Sequence, residues 1–257
     1  MKQNNEKISN GLEHISSDSD LVLHSTQSKY LQEYRQKNFD NREWLKFVNN
    51  CKSLIRNSIE YKSFICYCKT QLGMTNCSFF SNINENENVE IEIHHAIFTL
   101  HDIVEIVMDD MLRERNGIST LEVCNRVMEL HFKGLICVVP LSLTVHQLVH
   151  ARKVNVHIDQ IYGDLVGFIK LFKNSLTNEH LQKVVFVLEA SKRKLHADNL
   201  FEMNKLEDEI NKKNFTYDEL LGMLDSVDPE VIEKNKIFSK KESRSGTRKN
   251  KFGKKKS

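Results

Sequence analysis

Two short runs in this chain read as β-strands, and most of what surrounds them carries the spacing of helices. The first, VEIEIHH (89–95), alternates apolar and polar residues, so Val89, Ile91 and Ile93 share one face and Glu90, Glu92 and His94 the other. The second, GLICVVPLS (134–142), is a compact apolar run with Pro140 at its exit. A lone strand leaves its backbone N–H and C=O groups unpaired. The ends of 89–94 and 134–140 are expected to pair antiparallel and to dock on a helix at 144–152.

The helical pattern is clear on both sides. Leu45, Val48, Cys51, Leu54 and Ile55 recur at helical spacing in the segment 28–85, which predicts two or three helices. Thr99 can cap a helix with Ile103, Val104, Val107 and Met111 on its apolar side, stopped by Gly117. Ser119 and Glu122 make a capping box for a second helix through Leu121, Cys124, Val127 and Met128 that ends near His131. Thr144 starts the helix that carries His146 and His150. Beyond it, DLVGFIKLFKN, NEHLQKVVFVLEASKRKL and, after a Thr216/Glu219 capping box, YDELLGMLDSV read as helices.

This patterning predicts an α+β fold, mostly helical, in five segments. Residues 1–27 are a polar N-terminus expected to be disordered. Residues 28–85 are helical, 86–160 hold the two strands with helices inserted between them, 161–235 are helical again, and 236–257 form a basic tail expected to be disordered.

Composition narrows the partners. Of 37 basic and 35 acidic residues, ten and one lie in the tail, which leaves 27 and 34 before it. The body is thus acidic at −7 and the tail basic at +9, as suits a polyanion-binding arm. No window approaches the roughly 18 uncharged apolar residues of a membrane span. The N-terminus lacks a basic end followed by an apolar core, so cytoplasm is the expected compartment. Six cysteines without a C-x-x-C pair are expected to be reduced and mostly buried, with Cys66, Cys68 and Cys77 as a weaker metal alternative.

Seven of the eleven histidines fall between positions 94 and 157. His146 and His150, four apart, share a helix face and can present ring nitrogens to one ion, which a third ligand from a neighbouring strand would complete as an open, catalytic type of site. His-His at a strand end, a second strand, a Pro-Leu turn and then H-x3-H on a helix, carried by IEIHHAIF and VVPLSLTVHQLVH, resembles the HNH, or His-Me finger, endonucleases. The resemblance covers about a quarter of the chain. It implies a small ββα-metal core in which His94, His146 and His150 hold one divalent ion (Mg²⁺, Mn²⁺ or Zn²⁺) and His95 is the general base. It further implies hydrolysis of phosphodiester bonds in double-stranded DNA, leaving 5′-phosphate and 3′-hydroxyl ends.

Arg152, Lys153 and His131 are the expected substrate contacts, although a structural role suits His131 better. Cys137 stands nine residues before His146, where the family has an asparagine that orients the base, so another group must orient His95 or the site works poorly. Ser142 and Val145 stand where zinc-knuckle cysteines often occur, so no structural zinc is expected. Glu92 reads as a solvated strand residue that can support His94. The alternative function is a non-catalytic nucleic-acid-binding protein with a degenerate core of the same kind.

Overall fold

The computed structural model describes residues 32–35, 41–85, 89–195 and 199–236. The terminal segment 1–27 and the tail beyond Lys236, both expected to be disordered, lie outside the described residues. The fold is mostly helical α+β, with two small antiparallel sheets set among helices.

Strand β1 (Glu33–Arg35) leads into helices α1 (Asn41–Asn57) and α2 (Ile59–Thr70). Then come β2 (Ile91–His95), α3 (Leu100–Glu114), β3 (Gly117–Ser119), α4 (Thr120–Phe132), β4 (Val138–Ser142) and α5 (Leu143–His150). Five helices follow: α6 (Leu165–Leu171), α7 (Asn178–Lys192), α8 (Leu200–Asn211), α9 (Tyr217–Asp225) and α10 (Pro229–Asn235).

The expected strand pair is present. β2 and β4 run antiparallel, with Ile91 opposite Ser142, Ile93 opposite Pro140 and His95 opposite Val138. β4 starts later than the apolar run suggested, because Gly134 (φ 68°) ends α4 in the left-handed region and donates to the His131 carbonyl. Pro140 lies inside the strand, not at its exit. Its backbone nitrogen and carbonyl lie on the side of β4 turned away from β2, so the missing N–H costs no bond of the β2–β4 ladder.

The second sheet was not expected. β1 pairs with β3 over three residues, Tyr34 opposite Ile118, and both side chains are buried. A strand of that length has no alternation to read. Its partner lies far along the chain, and the Tyr34 ring packs edge-on against Trp44 and Phe47 of α1. Helices α8 and α10 were likewise not singled out within the segment expected to be helical.

The predicted caps form. Thr99 with Asp102, Ser119 with Glu122 and Thr216 with Glu219 each make both bonds of a capping box. The core runs continuously from α1 and α2 through α3 and α4 to α7, with Phe64, Ile103, Met128, Phe168 and Phe172 wholly enclosed. β4 is buried on both faces: Tyr162 pairs with Val138 on its outer side, and the Ser78 N–H donates to the Pro140 carbonyl. That fixed strand is the platform for the histidines. Among the described residues, no helix is long and apolar enough to cross a membrane.

Candidate functional site

Alternation along β2 separates the adjacent histidines. Glu92 and His94 face α5, whereas His95 shares the Ile93 face and turns toward α4 and α2. His146 and His150, one turn apart on α5, come up against the first of these faces. Ligand-capable nitrogens of His94, His146 and His150 all lie within 4.8 Å of one another. The His94 ring centroid is 4.6 Å from that of His146 and 5.0 Å from that of His150, and the Nε2 atoms of His146 and His150 are 2.8 Å apart. Among the described residues this is the one group of three potential metal-ligating side chains that converges.

The electrostatics favour an unprotonated His94. His94 is pushed down to about 4, by burial first and then by the neighbouring His146 and His150. Neutral imidazole is the form that ligates metal. The Glu92 carboxylate accepts from His146 Nδ1–H, and in a neutral ring that places the lone pair on Nε2, the atom facing His150. A carboxylate behind an imidazole in this way raises its basicity and locks its orientation. The donor set fits a divalent ion of borderline softness, with ligand bonds of roughly 2.0 to 2.1 Å and positions left for water or substrate. His150 is exposed and His94 and His146 half-buried, so the cluster opens to solvent.

His95 sits behind that cluster. Its ring lies parallel to Tyr61 of α2 at 6.1 Å, and its Nε2 is 2.9 Å from Nε2 of His131. Burial first, then the charges of His131, His94 and Arg56, hold His95 well below the usual histidine range. The Ala96 N–H donates to the Cys137 carbonyl, so position 137 secures the end of β2 through its backbone while its thiol is buried. Ile97 follows with φ 68°, and the Phe98 N–H reaches back to the Ala96 carbonyl at 2.8 Å. This is a tight three-residue turn, rarely adopted by a β-branched residue, and it swings the chain from β2 into α3.

The substrate contacts need one correction. His131 is wholly buried and cannot touch a substrate; its Nδ1–H donates to the Val127 carbonyl at 2.7 Å, and its ring packs edge-on against Phe64. Arg152 and Lys153 are exposed just beyond α5, and the Arg152 guanidinium donates to Glu207 of α8 at 2.9 Å. The cysteine alternative does not assemble. Cys66 and Cys68 stand two apart on one helix, where side chains diverge, and all six cysteines are free thiols, five of them buried. His157, buried, donates to the Leu195 carbonyl, and His180 accepts in the N-terminal cap of α7.

Sequence reasoning undervalued Glu92 and missed Tyr61 and Arg56. Glu92 had a signal, its two-residue spacing from His94 on one strand face. Tyr61 and Arg56 had none, because they reach His95 only through the packing of α1 and α2.

The comparison with protein families adds a separate observation: residues 1–218 match the model of the Bacteriophage G278-like virion protein family. The chain belongs to that family. No curated protein and no solved structure matches it. In this G278-like chain the match spans every residue of the histidine cluster and both sheets, and ends within α9.

Proposed function

We propose that this G278-like chain is a metal-dependent endonuclease of the HNH type acting on double-stranded DNA. The observation that carries the reading is the convergence of His94, His146 and His150 beside an antiparallel strand pair, with His95 next on the same strand. His94, His146 and His150 would hold the ion, with Glu92 orienting His146. A divalent ion held there would supply positive charge against the charge developing on the phosphate. His95 takes the proton of the attacking water, a task that a neutral imidazole performs near pH 7. Lys153 and Arg152, exposed beyond α5, and Arg56 at the end of α1 hold the phosphate backbone without reading sequence.

The family description favours a component of the phage particle, and a second reading adds to this that the chain binds nucleic acid without cutting it. Nicking of supercoiled plasmid with Mg²⁺, Mn²⁺ or Zn²⁺, by wild type and His95→Ala, separates the two. Cleavage by the wild type that His95→Ala loses supports the nuclease. Metal-loaded wild-type protein that shifts plasmid on a gel and never nicks it overturns the nuclease in favour of the second reading.

A further inference from the structure

The half-buried His95 and the fully buried His131 are bonded in a way that points to which nitrogens carry protons. His131 Nδ1 lies 2.7 Å from the Val127 carbonyl oxygen, which can only accept, so Nδ1 bears hydrogen. His131 is fully enclosed, with the rings of Tyr61 and Phe64 edge-on against it and, among the described residues, no carboxylate bonded to it, so the neutral form prevails. A neutral ring protonated at Nδ1 carries a lone pair on Nε2. His95 Nε2, 2.9 Å from that lone pair, must therefore be the donor. The proton on His95 is then committed to Nε2, and its Nδ1 is left as the basic atom.

We propose that His131 is a positioning residue for the reaction: the backbone carbonyl of Val127 sets the tautomer of His131, and His131 sets the tautomer and ring orientation of His95. The stack on Tyr61, at an interplanar angle of 8°, restrains the second rotational freedom of the same ring. The inference rests on the nuclease reading for its consequence in catalysis, but the tautomer relation stands on the hydrogen bonds alone. It assigns the orienting task, vacant at Cys137, to a side chain six residues earlier on α4. It also accounts for a histidine buried in the core where an apolar residue would pack at lower cost.

The test uses the full-length, metal-free chain labelled with ¹⁵N-histidine at neutral pH. Long-range proton–nitrogen correlations distinguish the two tautomers, and the His95 signals are those that vanish in His95→Asn. The expected result is Nε2–H on His95 and Nδ1–H on His131. In His131→Phe, which fills the site but accepts nothing, His95 is expected to leave the pure Nε2–H form. In His131→Gln, whose amide oxygen can accept, the wild-type form is expected to return.

Plasmid cleavage with metal then gives the functional half. His131→Phe is expected to lower the rate at saturating DNA by about 10- to 100-fold, the scale seen when an orienting partner is lost, with KM and zinc affinity unchanged, and His131→Gln to recover most of it. Nδ1–H on wild-type His95 overturns the proposal. A folded His131→Phe with wild-type tautomer and rate overturns it as well. Should His131→Phe fail to fold, the wild-type and His131→Gln spectra decide alone. The expected tautomers in a wild-type protein that never cleaves DNA would support the hydrogen-bond relation and overturn the nuclease reading, so the two failures are distinct.

Discussion

Replacing His95 by alanine is expected to lower cleavage by about two to four orders of magnitude, the usual size of a lost general base, with little change in metal affinity. His146→Ala or His150→Ala is expected to lose metal and activity together. Zinc titration calorimetry beside the nicking assay checks this division, and equal metal loss in all three variants would refute it. Glu92→Gln preserves volume while removing the charge behind His146 Nδ1. Its metal affinity is expected to fall about 10- to 100-fold, and wild-type affinity would show that the contact with His146 is idle. At this scale the histidines themselves were legible in the sequence, because residue type and spacing carry the chemistry. Their relations were not: His131, assigned to substrate by its nearness to the second strand, turns inward because it falls on the same face of α4 as Val127 and Cys124.

The helices around the site are held at one end or the other by local chemistry, and that part was open to sequence reasoning. Thr99→Ala should cost α3 about 1 kcal/mol through the lost cap. Asp102→Ala should cost more, about 2 to 3 kcal/mol, because the buried carboxylate both caps α3 and accepts from Lys183 at 2.9 Å, leaving a half-buried ammonium short of its main partner. Urea denaturation of the two variants orders them, and equal losses would mean that the ion pair adds nothing.

At the other ends, α4, α5 and α7 are followed by residues in the left-handed region: Gly134, Arg152 and Lys194 (φ 68°, 55° and 51°). In each case the next N–H reaches back five residues, as Leu195 does to the Ala190 carbonyl. Lys194→Gly is therefore expected to raise stability by up to about 1 kcal/mol, relieving the Cβ crowding that lysine suffers there. Gly163→Ala should do the opposite, strongly. Its Cβ would lie 2.6 Å from the Ile136 carbonyl oxygen and 2.8 Å from the Cys137 Cα, at φ 137°. Thermal melts of both variants test the pair. β1 escaped notice because three residues are too few to show alternation, and its stability comes from β3 across a long stretch of chain.

For the molecule as a whole, acid sensitivity follows from the buried histidines. His131 is pushed down to about 4 by burial, partly offset by its bond to Val127, whereas the unfolded ring titrates near 6.5. Above about pH 6.5 neither state gains a proton there and stability is flat. As pH falls from about 6.5 toward 4 the unfolded chain binds a proton that the folded one refuses, so stability falls, with the loss complete below the folded value. At roughly 1.4 kcal/mol per pH unit this amounts to a loss on the order of 3 kcal/mol from His131 alone in metal-free protein. Denaturation midpoints between pH 7 and 4.5 should drop less in His131→Phe than in the wild type. The same slope in both would place the acid sensitivity elsewhere. On the proposed nucleic-acid reading, the basic tail from Lys236 onward, with its net charge of +9, is expected to act at a longer range. Deleting it should weaken binding to all DNA sequences alike and flatten the salt dependence by about 0.9 log units per lost phosphate contact. An unchanged salt slope would make the tail a solubility device.

By itself the sequence determined the elements around the histidines and the candidate chemistry: a strand with His94 and His95 at its end, a second apolar strand, capped helices, and two imidazoles one turn apart. Those features depend on residue type and short spacing, where periodicity and capping act. Only the tertiary structure decided which way each histidine turns. Pairing β2 with β4 in the observed register sent Glu92 and His94 toward α5 and left His95 facing His131 and Tyr61. Those two partners come from helices 36 and 34 residues away along the chain. They meet His95 because burying the apolar faces of α2 and α4 brings those helices against the strand, a requirement of the whole core that no local window expresses.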